Sequence, residues 1–166
     1  MYHLSYADDQ ISDVSTGNVE KKEKIHIIAD KLVSDSEVNS FEFIGNVKAT
    51  QGDTVITADR LKVFYTKDMN NEKNELAGKQ SIQKIIARGN VTIQFDDKVA
   101  KTQQATYTTE TRILVLSGPD SKIMRGKDSI SGEKITFYRT DERIQVESGS
   151  ENRVEAVFHS GGKGIN

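Results

Sequence analysis

Four segments of the chain share a short pattern of acid, base and aliphatic residue, three of them after a small residue, and this internal repeat constrains the fold most. They are Ala29-Asp30-Lys31-Leu32, Ala58-Asp59-Arg60-Leu61, Gln103-Gln104-Ala105 and Gly132-Glu133-Lys134-Ile135. The third has lost its charges and is located by spacing: Gly45-Asn46-Val47 stands 18 residues before Val63, and Gly89-Asn90-Val91 stands 18 before Tyr107. A Gly closes each unit, at Gly45, Gly89, Gly118 and Gly149, 13 or 14 residues beyond the aliphatic residue except in the second unit. That unit carries a polar insertion over Thr66 to Gln80.

Around these markers apolar residues alternate with period two, so each unit reads as strand, turn, strand. Leu61 and Val63 share a face, as do Ile135 and Phe137, and so do Phe41 and Phe43, Ile85 and Ala87, Leu114 and Leu116 before their closing glycines. The fourth unit offers Gln145 and Glu147 there, which shifts its inner face to Ile144 and Val146. Polar clusters at Ser34–Asn39, Asp68–Asn74, Thr108–Thr111 and Thr140–Arg143 mark turns, and Asp96-Asp97 reads as a solvated hairpin turn. No helical period of apolar residues persists for three turns. The expected fold is all-β, an open twisted jelly roll or β-solenoid built from strand-turn-strand repeats. It should occupy residues 24–159 as one domain, with a flexible leader over 1–23 and a flexible Gly-rich tail over 160–166. Hydrophobic residues make up only 35% of the 166, so the core should be thin or open.

Composition removes several functions. Net charge is −2 with both signs interspersed, which offers no basic field for a phosphate backbone, so nucleic acid is not an expected partner. Absence of Cys excludes disulfides and thiolate chemistry. His3, His26 and His159 lie near the two ends, too scattered for a nucleophile, base and orienting acid. No metal-ligand spacing is present, and no cofactor is expected. The sequon Asn90-Val91-Thr92 falls inside an expected strand and reads as coincidence. Met1–Gln10 has no hydrophobic signal core, and no run of 18 apolar residues occurs. The recurring marker charges read as structural, with equivalent charges placed on the solvent face of each repeat.

Taken in order, Ile25-His26-Ile27 with Ala29-Asp30, Phe43-Ile44-Gly45-Asn46-Val47, Thr50-Gln51-Gly52 and Ile56-Thr57-Ala58-Asp59-Arg60-Leu61 resemble the OstA-like family. The likeness continues at Gly132-Glu133-Lys134-Ile135-Thr136-Phe137 and Arg153-Val154 to Val157, so it spans about residues 25 to 159. It implies a periplasmic, non-enzymatic protein, its export signal removed, which binds lipopolysaccharide through lipid A acyl chains. It also implies head-to-tail self-association and joining to related inner-membrane and outer-membrane transport proteins. The periplasmic domain of such an inner-membrane partner is an alternative, as is a β-solenoid adaptor that makes protein contacts only. A sugar-active β-helix is disfavoured, because each marker pairs its acid with a base.

Under this resemblance the inward residues Phe41, Phe43, Val47, Leu61, Val63, Ile85, Val91, Ile93, Tyr107, Leu114, Leu116, Ile135 and Phe137 are expected to line an apolar groove. Two segments should form open strand edges for assembly: Ile25, His26, Ile27 and Ile28 at one end, and Arg153, Val154, Glu155, Ala156, Val157 and Phe158 at the other.

Overall fold

The computed structural model describes residues 23–66, 81–162 and 164–165. The leader expected over 1–23 therefore lies, but for Glu23, outside the described residues, as do the insertion expected over Thr66 to Gln80, but for Thr66, and its turn at Asp68–Asn74. Among the described residues every regular element is a strand: β1 (His26–Ile28), β2 (Lys31–Asp35), β3 (Ser40–Gln51), β4 (Thr54–Thr66), β5 (Ser81–Phe95), β6 (Lys98–Thr108), β7 (Ile113–Arg125), β8 (Asp128–Tyr138), β9 (Arg143–Glu147) and β10 (Glu155–Val157). They form one sheet in the order β1-β3-β4-β5-β6-β7-β8-β10, with β2 also on β3 and β9 also on β8. Every pairing is antiparallel, which selects the jelly roll over the parallel coils of a solenoid.

The long strands do not run straight. Register breaks between Ile44 and Val47, Thr57 and Arg60, Arg88 and Val91, Lys101 and Gln104, and Ser117 and Ser121 fall on one line across the sheet. Bulges bend a sheet where they recur, and here they fold it along a corner into two facing halves. One half holds β2, β9 and the stretches of β3 to β8 that pair with them; the other holds β1, β10 and the remaining stretches. The hairpin tips of both halves lie at the mouth opposite the corner.

The repeat markers build that corner. Gly89 and Asn90 adopt φ of 76° and 47°, and Gly45 and Asn46 adopt 83° and 46°, a left-handed pair in each strand. Asn90 Nδ2 donates to Asp59 Oδ2 at 2.9 Å, and Asn46 Nδ2 donates to Asp30 Oδ2 at 2.8 Å. The Asp30 and Asp59 carboxylates thus remain exposed but each pins the following Gly-Asn step, a structural role with a definite partner. Where the third copy has Gln103 instead, the corner is held from inside: Thr102 Oγ1 lies 2.8 Å from Ser121 Oγ, which donates to the Gly118 carbonyl at 2.8 Å.

A Cβ on Gly89 would run into the Asp59 side chain, whereas one on Gly126, also at positive φ, meets nothing. Gly89→Ala is therefore expected to cost about 1–3 kcal/mol, and Gly126→Ala about 1, because the first adds a clash to the backbone strain. Urea midpoints at unchanged slope check this.

The core fills the fold between the halves: Val47, Leu61, Val63, Val91, Ile93, Phe95, Leu114, Leu116, Ile123, Ile135 and Phe137 are buried in one cluster. Five of its members are alanines, Ala49, Ala58, Ala87, Ala100 and Ala105, so the interior is thin, in keeping with the lean composition. Ile144 and Val146 pack against it, as the shifted inner face of the fourth unit requires.

Candidate lipid-binding cleft

The inward row nearest the corner is sealed. Val47, Val91, Leu116 and Ile135 are each at most 2% exposed and face other core side chains, and in the next row Phe137, at 1%, is as well covered. The rows nearer the mouth are not closed as tightly. Two adjoining apolar clefts lie between the halves. One, of about 110 Å³, is lined by Ile56, Ile85, Ile93, Phe95, Tyr107 and Leu114 among others. The other, of about 50 Å³, is lined by Ile27, Leu61, Val63, Ile82, Ile85 and Ile25 among others. Ile85 lines both, so the clefts share a wall on β5.

Of the residues expected in a groove, Leu61, Val63, Ile85, Ile93, Tyr107 and Leu114 line these clefts. Phe43 packs on the core from the edge side, and Phe41 stacks on Tyr65 with ring centroids 4.9 Å apart. Ile56, Ile82 and Phe95 line the clefts although the sequence reading did not select them. Phe95 continues the alternation Val91, Ile93 and could have been found by carrying that alternation up to the turn at Asp96.

The mouth is shut beside β8. Phe95 and Phe137, one from each half, meet with centroids 5.4 Å apart at 59°. The Arg139 guanidinium lies 5.8 Å from the Phe95 ring and 3.7 Å from the Asp96 carboxylate, and Lys98 Nζ lies 5.9 Å from the Phe137 ring. Aromatic faces attract such cations. Asp97 on the same tip has its carboxyl held below the usual range, first by the hydrogen bond from Lys98 and also by Arg125. Asp128 on the next tip is likewise lowered, first by the His159 backbone N–H at 2.9 Å and also by its ring, which ties the end of the chain to the β7–β8 hairpin. Lowered carboxyls stabilise the fold above their ordinary pKa of 3.8 and lose that contribution as pH falls through the lowered value.

A larger concavity, about 720 Å³, lies elsewhere and is of another character. It sits outside β6–β8 under the segment leading into β10, where Lys101, Lys122 and Arg153 alternate with Asp120, Glu151 and Glu155. Such a lining suits water and not an acyl chain.

Among the described residues both ends of the sheet are open, and each end is double. β1 and β2 present Ile28 and Leu32 at 56% and 54% exposure, and Phe158, just after β10, is 70% exposed. The expected edges at Ile25–Ile28 and Arg153–Phe158 correspond to β1 and β10. Sequence reasoning did not find the companion edges β2 and β9, which flank them on the other half of the sheet.

A folded antiparallel sheet with an apolar cleft between its halves defines an open β-jelly roll, and no cluster of metal-binding side chains occurs among the described residues. The family model described as LptA/(LptD N-terminal domain) LPS transport protein matches residues 26–143, and the chain belongs to that family. Lipopolysaccharide transport, and not catalysis, is the business of this family, in agreement with the OstA-like resemblance, which is strongest toward LptA. No curated protein matches the chain. Among solved structures it is similar to LptH from Pseudomonas aeruginosa, described as the LptA homologous periplasmic component of the conserved lipopolysaccharide transport device. That similarity has a TM-score of 0.69 at 16% identity and covers 85% of this chain and 99% of the other.

Proposed function

We propose that this chain is a periplasmic carrier that holds lipopolysaccharide by its lipid A acyl chains between the two sheet halves and passes it along an end-to-end assembly from inner to outer membrane. The observation that carries this reading is the apolar cleft along β3–β7, in a chain of a lipopolysaccharide transport family. Each buried methylene gains about 0.8 kcal/mol, so a twelve-carbon chain offers a gross ~9 kcal/mol. Slides along a continuous groove balance loss against gain at every step, whereas complete burial in one molecule would hold the lipid too long.

The clefts, about 110 and 50 Å³, fall short of the ~300 Å³ at which small-molecule sites usually begin, so the halves must part to admit a chain. The thin, alanine-rich interior makes parting inexpensive, since few apolar atoms are uncovered per layer. The bridge at Phe95–Phe137 keeps the β8 side shut, which directs entry to the side of β3–β5. Direction of travel must come from a partner, because the chain has no nucleotide-binding loop.

Delipidated protein titrated with a fluorescent fatty acid, then with lipopolysaccharide as competitor, tests the reading. Saturable binding and displacement are expected. An interior that takes up neither would leave the protein-contact adaptor as the better account.

A further inference from the structure

Inside the chain, each strand that carries a closing Gly meets the next marker strand in a fixed register. In one half the pairs are Phe43 with Leu61, Ala87 with Ala105 and Leu116 with Ile135. In the other they are Ala49 with Ile56, Ile93 with Ala100 and Ile123 with Ile130. Among the described residues the array then stops: β1 and β2 have no strand before them, and β9 and β10 have none after them.

The equivalent positions at the two ends can be assigned from their pairing on the inner side. Val146 pairs with Ile135 as Phe43 pairs with Leu32, and as Leu116 pairs with Ala105. Ala156 pairs with Ile130 as Ala49 pairs with Ile27, and as Ile123 pairs with Ala100. Leu32 and Ile27 in turn stand five residues apart, as do Leu61 and Ile56, or Ile135 and Ile130.

Resting on the end-to-end reading above, we infer that a second copy of this chain continues the internal repeat register across the junction, with Val146 opposite the next copy's Leu32 and Ala156 opposite its Ile27. Antiparallel pairing then fixes the neighbours. On β9 and β2 the outward pairs become Arg143 with Asp35, Gln145 with Val33 and Glu147 with Lys31. Both charged pairs are of opposite sign, although the register was set from apolar positions alone. A shift of two residues in one direction puts Arg143 opposite Val33 and Gln145 opposite Lys31, and loses both pairs; in the other it puts Gln145 opposite Asp35 and Glu147 opposite Val33, and offers in their place only Arg143 with Glu37, which lies beyond β2 in the turn. On the other half Ile28 and Val157 fall at the junction opposite Glu155 and His26, and one step further Phe158 meets Ile25. The exposed apolar residues of both ends, Leu32, Val33, Ile28 and Phe158 among them, are covered by this one arrangement.

The chain has no Cys, so single-cysteine variants give a clean test. Gln145→Cys is mixed with Val33→Cys, or with Lys31→Cys or Asp35→Cys, and oxidised under mild conditions. Directly opposite residues lie within disulfide reach while diagonal ones lie about 7 Å or more apart, so the Val33 mixture is expected to crosslink at least ~tenfold faster. Faster crosslinking at Lys31→Cys or Asp35→Cys overturns the register and leaves end-to-end assembly standing. Crosslinks only between two copies of Gln145→Cys, or none to any of the three N-terminal positions, overturn end-to-end assembly itself. As a second arm, Arg143→Glu is expected to weaken self-association about threefold to tenfold, and Asp35→Arg in the same chain to restore it. Failure of that restoration counts against the register. Asp35 Oδ1 also accepts from the Glu37 and Val38 N–H groups and Arg143 lies over the Tyr138 ring, so a melting curve for each variant accompanies the assay and separates weak association from misfolding.

Discussion

Ile85→Glu is expected to weaken lipopolysaccharide binding at least ~tenfold while the protein still folds, and Leu116→Glu is expected to leave no folded protein to assay. The two residues carry the same kind of side chain on the same inner face, and the difference lies in the row. Leu116 is 0% exposed, with Ala105 and Ile135 as cross-strand partners near the corner. A carboxylate there has neither water nor a cation, a penalty of several kcal/mol against the marginal stability of one domain. Ile85 is half-buried on the wall common to both clefts. Glu at that position can keep contact with water in the empty state and is stripped of it only when an acyl chain arrives. The cost therefore falls on binding. Melting curves with competition titrations for both variants check this, with Lys62→Glu as an outward control whose binding should match the parent. Equal binding by Ile85→Glu and the parent would remove the clefts from the lipid path.

The contrast also marks what the sequence could and could not tell. Alternation around the markers was enough to put Leu61, Val63, Leu114, Leu116, Ile135 and Phe137 on one face, because a pleated strand leaves no other choice. It could not separate the sealed row from the cleft row. That distinction depends on distance from the corner, and the corner is made by left-handed Gly-Asn steps whose meaning emerges only once Asp30 and Asp59 are seen to grip Asn46 and Asn90. The companion edges β2 and β9 escaped for a related reason. Their alternation looks like that of any internal strand, and only the bend that divides β3 and β8 between two neighbours each makes them terminal. The repeat arithmetic, by contrast, was fully legible and carries the junction register with it.

Light scattering is expected to show mass rising steadily with concentration for the parent, and monomers for a chain that ends before Arg153 and also carries Val146→Pro. Each change addresses one half of the C-terminal edge. Truncation removes β10, whose three residues are all exposed and pair only with Ser129–Ser131, so no buried core residue is lost. It also removes the His159 contact to Asp128, an exposed link that contributes little to the fold. Val146→Pro removes an N–H on the free side of β9, since Arg143, Gln145 and Glu147 are the residues that turn their N–H groups to β8, and its ring obstructs a further strand. Either change alone leaves the other half of the edge available, and a partial shift toward monomer is expected from each. The heterologous contact does not close on itself, so growth without a preferred size follows from geometry. A single sharp mass across a hundredfold range of parent concentration would contradict an open-ended array. A closed dimer would mean that like ends pair, and since two facing N-terminal edges would set Ile27 against Ile27 with the clefts reversed, no continuous apolar path could run through the assembly.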